Sequence, residues 1–284
     1  MACDRAGAVP SVADVIADVI GDRRGTGSGR PRAYLVVGPP GSGKSRLAEI
    51  ALGRCQAHGA SPVHVDADKL RDRHPAYRDL ARTDPARAFA ASQAAASGWA
   101  DGLRNAAIER RLDVVVEGLF KTQANTRALC GHLKRAGYQT TVLVKVVPRV
   151  ISLLQIERRY ERALGGGQNR EKVPRRVDAA AHDVGYDAVV PMLDLVQGEG
   201  LVDEIEVFDP TNARVHSIAV VGSTVGGAAA VETLRQAPLT AVERLTVHDL
   251  LQEVQRFRAA RNAAVHAEAG SALEAAMGIM ADWD

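Results

Sequence analysis

Short apolar runs along the chain are separated by longer segments in which apolar residues recur at helical spacing. Runs of this kind, bounded by glycine, proline or charged residues, predict buried β-strands. They occupy positions 33–37, 63–65, 112–116 and 140–147. The last two are apolar almost throughout rather than alternating, so we expect them to be parallel strands covered on both faces.

The segments between and after these strands have apolar residues three and four positions apart, as amphipathic helices do. The predicted helices are 12–20, 45–58, two between 75 and 111, 150–164 and 179–196. The remaining elements are predicted strands at 205–208 and 215–221 and a small-residue connector at 222–230. Alternating strands and helices indicate a three-layer α/β fold with a mainly parallel sheet.

The C-terminal part of the chain carries separate helix signals. Thr240 and Glu243 have the spacing of a capping box, in which each side chain binds a backbone N–H group of the other residue. An apolar stripe follows, so we predict a long helix to about residue 261 and a last helix over 272–280.

Three units are expected from these patterns. Residues 1–31 form an N-terminal helix and a glycine-rich linker, residues 32–221 form the α/β domain, and residues 222–284 form a helical extension.

Composition and charge narrow the class of protein. The 284 residues are 46% hydrophobic and 25% charged, which is ordinary for a globular protein. A net charge of +2 gives no reason to expect nucleic-acid or membrane binding. The three cysteines are far apart and indicate neither a disulfide framework nor a zinc site. With no targeting segment, we expect a cytoplasmic protein.

A glycine-rich loop between the first buried strand and the next helix carries the strongest chemical signal. Its residues are Gly38, Pro39, Pro40, Gly41, Ser42, Gly43, Lys44 and Ser45. This spacing lets backbone N–H groups surround a phosphate at a helix N-terminus. Lys44 is expected to reach the terminal phosphates of ATP or GTP, and the Ser45 hydroxyl to ligate Mg²⁺.

Carboxylates follow two of the predicted strands. Asp66 and Asp68 end the second strand, where we expect them to point to the same side, next to the phosphate loop. Asp68 is our choice for the group that accepts a proton from a substrate hydroxyl, with Asp66 holding a magnesium-bound water or capping the next helix. Glu117 ends the third strand and could bind magnesium-bound water or a substrate hydroxyl, or be a structural acid, and Lys121 on the following loop could contact a phosphate.

Arginines concentrate around a glycine-rich hinge at 165–167. Arg158, Arg159 and Arg162 precede the hinge, and a second basic group follows it at 170–176. Most of these charges are expected to be solvated, but one or two could stabilise a migrating phosphoryl group when a hinged lid closes. An RNA-binding patch is disfavoured because aromatic residues are scarce there.

Taken together in chain order, these segments resemble the zeta toxin family of P-loop kinases from bacterial toxin–antitoxin systems. The matching segments are the loop from Gly38 to Ser45, Val65-Asp-Ala-Asp68-Lys-Leu with His74-Pro75, Val116-Glu117-Gly118, Val147-Pro148 and Ile156-Glu157-Arg158-Arg159-Tyr160-Glu161. The resemblance covers about 32–209 and leaves the C-terminal extension without a family interpretation.

The resemblance implies a kinase that phosphorylates the aminosugar of UDP-N-acetylglucosamine. Lys44 would bind phosphate, Asp68 would act on the sugar hydroxyl, and Arg159 would stabilise the transferred group. Asp101 and Glu117 fall where the family places substrate-holding carboxylates. Arg170 is the choice for a second lid arginine, with Arg175 and Arg176 as the alternatives. A small helical antitoxin protein is the implied partner.

Two positions depart from the family pattern and bear on the acceptor. Leu119-Phe120 replaces a frequent threonine after Glu117-Gly118, and Asp101 is one methylene shorter than the usual glutamate. Loss of a hydroxyl in a sugar pocket can change selectivity strongly. A kinase of another alcohol, such as an antibiotic, nucleoside or dinucleotide, and a non-catalytic nucleotide-binding module are therefore the alternatives.

Overall fold

The computed structural model describes residues 8–25, 29–118, 122–164, 177–222, 226–260 and 278. Its strands are β1 (Arg32–Val37), β2 (Val63–Asp66), β3 (Val114–Gly118), β4 (Gln139–Lys145), β5 (Glu204–Phe208) and β6 (Arg214–Ala219). They form one sheet in the order β2-β3-β1-β4-β5-β6. The first five strands are parallel, and β6 pairs antiparallel at the edge.

Helices connect the strands and continue beyond them. They are α1 (Val12–Val19), α2 (Ser45–Ala57), α3 (Ala67–Leu70), α4 (Tyr77–Thr83), α5 (Pro85–Glu109), α6 (Gln123–Arg135), α7 (Arg149–Leu164), α8 (Ala179–Asp187), α9 (Val189–Gly198), α10 (Gly227–Gln236) and α11 (Ala241–Ala260), with a 3₁₀ helix at Arg71–Arg73. No helix within the described ranges combines the length and the apolar character that crossing a membrane requires.

The sheet has helices on both faces, which confirms the three-layer α/β fold. Ala33, Leu35 and Val37 of β1 belong to a core shared with α1, α5, α6, α9 and α10, whereas Tyr34 and Val36 pack on the opposite side with α2. The alternation follows from the two-residue period of a strand. All six predicted strands and the parallel pairing of β3 and β4 with their neighbours are confirmed.

The prediction that the second strand lies beside the phosphate loop is wrong. We expected the second strand beside the loop, but β3 lies between β2 and β1. Val114, Val115 and Val116 are buried on both faces, so β3 takes an inner position. β2 has only four residues and alternates in burial, which suits the edge of the sheet.

Two other expectations need correction in the second half of the chain. The predicted helix at 179–196 is two helices, α8 and α9, which meet at Ala188. The predicted connector at 222–230 contains the start of α10 instead. A Cβ on Gly227 would lie 3.1 Å from Ile205, so its small residues allow this helix to pack closely on β5.

The N-terminal helix packs on the long helix α5. Ser11 caps α1 through a capping box with Asp14, and the indole N–H of Trp99 donates to the carbonyl of Pro10 at 2.9 Å. A Cβ on Gly102 would lie 2.2 Å from a side-chain methyl of Val12, so glycine lets the two helices touch without a shift of that side chain.

The predicted C-terminal helix is confirmed as α11, and its capping box is present. Val247, Leu250 and Leu251 pack against Ile151 and Leu154 of α7. Burying a leucine side chain contributes about 1.5–3 kcal/mol, so this small cluster is a substantial attachment. The helix predicted at 272–280 lies outside the described residues except for Gly278, and the division into three units stays a prediction.

Candidate functional site

The phosphate loop connects the end of β1 to the start of α2. Gly41 and Gly43 have φ values of +77° and +76°, a conformation that residues with side chains rarely adopt. A Cβ on Gly41 would also lie 2.1 Å from the carbonyl oxygen of Ser152 in α7. The loop therefore needs glycine at position 41 both for its turn and for its close contact with α7.

Lys44 lies at the centre of the charged groups around this loop. Burial lowers the pKa of Lys44, and the carboxylates of Asp68 and Glu117 act in the opposite direction. Arg159 adds a further lowering of this pKa, which places it in the same electrostatic environment. The structure thus brings together four of the predicted site residues from three different elements and the loop.

Glu117 connects the phosphate loop to β2. Its carboxylate accepts a hydrogen bond from the Ser45 hydroxyl at 3.1 Å and lies 2.8 Å from Nε2 of His64. Burial alone would raise the pKa of Glu117, but the His64 hydrogen bond, together with Lys44 and Ser45, lowers it on balance. Glu117 is therefore held as a carboxylate beside Ser45.

His64 is a site residue that the sequence interpretation missed. It lies two residues before Asp66 on β2, and Asp66 is in register with Glu117 on β3. The period of two places His64 and Asp66 on one face of the strand. This spacing is the signal that the sequence offers for His64, but a single histidine in an otherwise apolar run indicates only a strand residue.

Asp66 and Asp68 do not lie on one strand as expected. β2 ends at Asp66, whose side chain accepts from the backbone N–H of Asp68 at 2.9 Å and caps α3. Burial raises the pKa of Asp66, and the nearby carboxylates of Glu117 and Asp68 raise it further. The capping role suggested for Asp66 is therefore present. Asp68 lies in the first turn of α3 and not on β2.

The side chain of Asp68 is about half exposed and lies 3.5 Å from Nε of Arg71. Arg71 is itself buried and donates to Ser92 at 3.1 Å and to the carbonyl of Phe89 at 3.3 Å, both on α5. The Phe89 ring covers its guanidinium at 3.9 Å. Arg71 therefore connects Asp68 to the rigid body of α5.

A cavity of about 260 Å³ lies between the phosphate loop and α7. The residues that line it are Gly41, Gly43, Gln155, Arg158, Arg159, Arg162 and Ala163. Three cationic side chains thus face two loop glycines. This size is near the lower limit for small-molecule sites and suits the phosphate part of a nucleotide.

The other predicted site residues are not assembled with this group by the described contacts. Asp101 lies on α5 with its side chain 62% exposed, and its carboxylate pairs with Arg104 at 2.9 Å on the same helix. Lys121, Arg170 and the basic segment to 176 lie outside the described residues, as does the glycine hinge. Their assigned roles stay predictions.

The residues around Ser45 fit a divalent cation. Mg²⁺ prefers oxygen ligands, and the Ser45 hydroxyl and the Glu117 carboxylate provide them beside the loop. Ligand atoms of His64, Asp66 and Glu117 also all lie within 4.8 Å of one another. Ser45 and Glu117 offer only oxygen ligands, as the Mg²⁺ of a nucleotide prefers, whereas the second set includes the His64 nitrogen.

A mainly parallel sheet, with a phosphate-binding loop between β1 and α2, defines a P-loop α/β fold of the kinase-like kind. The sequence model of the Zeta toxin family matches residues 17–220. The chain therefore belongs to the zeta toxin family, and the resemblance inferred from its motifs is confirmed.

Two curated relatives are each named Toxin zeta. The protein from Enterococcus hirae and the one from Streptococcus pyogenes are both 22% identical over 187 residues. In each case the match covers 66% of this chain and 63% of the relative, so the chain spans less than two thirds of their length.

Solved structures also share the fold. A chain described in a study of the PezAT chromosomal toxin–antitoxin system of Streptococcus pneumoniae has a TM-score of 0.72 at 18% identity, covering 87% of this chain and 94% of that one. A chain of the AvrRxo1-ORF1:-ORF2 structure with ATP has a TM-score of 0.55 at 15% identity, covering 93% and 84%. At these identities the likeness concerns the fold.

Proposed function

We propose that this chain is a toxin kinase that transfers the terminal phosphate of ATP or GTP to a hydroxyl of UDP-N-acetylglucosamine or a related nucleotide sugar. One observation carries the proposal: Lys44, Asp68, Glu117 and Arg159 share one electrostatic environment at the phosphate loop. A phosphate-binding cation, an acceptor-side carboxylate and a second cation are the parts that phosphoryl transfer to an alcohol requires.

On the donor side, the backbone N–H groups of the loop and Lys44 would hold the phosphates of the nucleotide. Arg159 would neutralise the charge that spreads over the migrating group, with Arg158 and Arg162 lining the same cavity. Because Lys44 is half-buried, its charge acts on the phosphates with little screening by water. Arg170 is proposed as a second arginine of the lid.

On the acceptor side, Asp68 would accept the proton of the attacking hydroxyl. A general base must lie within reach of its substrate, and the half-exposed Asp68 is more accessible than the capping Asp66. Arg71 would hold Asp68 in place from α5. Asp101 is proposed as a further substrate contact on the basis of its family position. Lys121 is proposed as a phosphate contact because it follows Glu117-Gly118 closely in the sequence.

Mg²⁺, when bound with the nucleotide, supplies charge neutralisation on the phosphate oxygens. Ser45 and Glu117 are the residues proposed to hold it. The Glu117 pKa is lowered on balance, so its carboxylate is ionised and ready to accept a cation.

A protein antitoxin is the proposed partner. The PezAT study concerns a toxin–antitoxin system by its own description, and AvrRxo1-ORF1 is described as bound to ORF2. Such a partner would act most directly by covering the open cavity beside the phosphate loop. Action on a nucleotide sugar would place the protein in the cytoplasm.

The test is a phosphoryl-transfer assay with purified protein, ATP or GTP, Mg²⁺ and UDP-N-acetylglucosamine. We expect consumption of both substrates and a sugar nucleotide heavier by one phosphate in mass spectrometry. Lys44→Ala is the matched inactive control. Absence of product at high enzyme concentration, with ATP bound, would exclude this acceptor.

A kinase of a different alcohol is the second candidate function. Two features of the acceptor region support it. Asp101 pairs with Arg104 on its own helix, and Leu119-Phe120 replaces a frequent threonine of the family. A panel of nucleotide sugars, nucleosides, dinucleotides and aminoglycosides should reveal one acceptor that gains a phosphate. ATP binding without transfer to any component of a cell extract would instead support a non-catalytic module.

Toxicity has its own test. Expression of the chain in bacteria should slow growth, and Lys44→Ala should restore it at equal protein level. Continued growth inhibition by Lys44→Ala would separate toxicity from phosphoryl transfer.

A further inference from the structure

Helix α7 contacts the phosphate loop with one face and α11 with another. Ser152 and Ile156, four residues apart, approach Gly41, and Arg159 continues this face into the cavity. Ile151 and Leu154, three residues apart, pack on α11. Residues three and four apart share a helix face, so α7 lies between α11 and the loop and contacts both.

The contact between α7 and α11 contains a buried ionic cluster in addition to apolar side chains. Arg258 of α11 donates to Glu157 at 2.8 Å and to Glu161 at 3.1 Å. All three residues are at most 9% exposed. A planar guanidinium that joins two carboxylates fixes both the distance and the rotation between the helices.

A second ion pair lies closer to the cavity. Arg158, which lines the cavity, pairs with Glu253 of α11 at 3.4 Å and donates to Gln155 at 2.5 Å. Its position therefore depends on α11 as well. Glu157 and Glu161, which Arg258 of α11 contacts, are also next in sequence to the cavity arginines Arg158 and Arg162.

We propose that Arg258 is a positioning residue of the nucleotide site, and that α11 forms a working part of that site. By holding Glu157 and Glu161, Arg258 fixes the rotation of α7 and directs its arginines across the phosphate loop. The family match ends at residue 220, so this contribution comes from the segment beyond the family core. The inference rests on nucleotide binding in the proposed function and does not require any particular acceptor.

Nucleotide binding by Arg258→Ala tests this, measured by titration calorimetry with ATP and with AMP. We expect ATP affinity to fall about 10-fold, a typical size for coupling between sites. AMP affinity should stay unchanged, because the α7 arginines act on the outer phosphates. Arg256→Ala removes an exposed arginine from the same helix and should behave like the original protein.

Equal ATP affinity in folded Arg258→Ala and in the original protein would overturn the inference, and so would an equal loss for ATP and AMP. If Arg258→Ala does not fold, the combination Arg258→Met, Glu157→Gln and Glu161→Gln removes all three buried charges at similar volume. It should fold and bind ATP weakly, and unchanged ATP affinity there would also overturn the inference.

The same titrations separate the two proposals. An original protein that binds no ATP removes both the proposed function and the inference. ATP binding without transfer to any acceptor removes only the function. ATP binding that is insensitive to Arg258 removes only the inference.

Discussion

The two sides of the candidate site are built in different ways. His64, Asp66 and Glu117 project from adjacent strands, whose register Asp66–Glu117 is fixed by backbone hydrogen bonds. The cavity arginines stand on α7, which is held by side chains of α11. Backbone hydrogen bonds use no side-chain atoms, whereas the contact of α7 with α11 consists of side chains that single substitutions remove. The arginine side should therefore respond to changes on α11, far from the phosphates. The strand-borne groups His64, Asp66 and Glu117 should respond mainly to changes close to them.

The largest expected effect is chemical and lies on the carboxylate side. Asp68→Asn should lower phosphoryl transfer by about 10²–10⁴-fold, because the amide cannot accept the proton. ATP affinity should not change. Transfer kinetics and calorimetry measure the two quantities. Asp72→Asn, on the neighbouring 3₁₀ helix, is the control, and full activity of Asp68→Asn would assign the base elsewhere.

On the arginine side, Leu154→Ala should cost about 2–5 kcal/mol in the free energy of unfolding. Leu154 is fully buried between α7 and α11. Denaturant titration measures the loss. Leu245→Ala, at a position of α11 that is 57% exposed, should cost little. Equal small effects at both positions would mean that α11 is not packed on α7 as described.

A smaller effect is expected at the start of α11. Thr240→Ala removes the hydroxyl that accepts from the Glu243 N–H and donates to the Glu243 carboxylate, and should cost about 1 kcal/mol. Thermal unfolding measures it. Thr246→Ala, inside the helix, should be neutral or slightly stabilising because alanine favours helices. A larger loss at Thr246 would contradict the capping role.

The smallest effect depends on pH. Burial raises the pKa of Asp66 above its ordinary value of 3.8, so the folded protein favours the neutral acid. Ionised Asp66 therefore destabilises the fold above its raised pKa. Asp66→Asn keeps the cap and should stabilise the protein at neutral pH. The gain should shrink as pH falls through the raised pKa and vanish below the ordinary one, in unfolding titrations at several pH values.

The fold and the phosphate loop could be predicted because their signals are local. The run before Gly38, the spacing to Lys44 and Ser45, and the apolar period of each strand lie within short windows of sequence. Strand order could not be read in the same way. Strand order depends on which strands are buried on both faces. Here β3, and not the short β2, lies beside β1.

The same distinction between local and long-range signals applies to the residues of the candidate site. Glu117 and Asp68 could be predicted as candidates because each stands at or just after a strand end. His64 was missed because one histidine in an apolar run gives no sign of its partner on β3. Arg258 was missed because its partners lie 97 and 101 residues away in the sequence. No local period relates residues that far apart.

That separation also sets an order of events during synthesis. Ribosomes add about 5–20 residues per second, so the end of α7 is synthesised about 5–20 s before Arg258. Through this interval the nascent chain has its phosphate loop and arginine helix but lacks Arg258, the residue proposed to fix their mutual rotation. With the proposed role of Arg258, the chain would reach full nucleotide affinity only after α11 leaves the ribosome, and the proposed antitoxin would have that interval in which to bind.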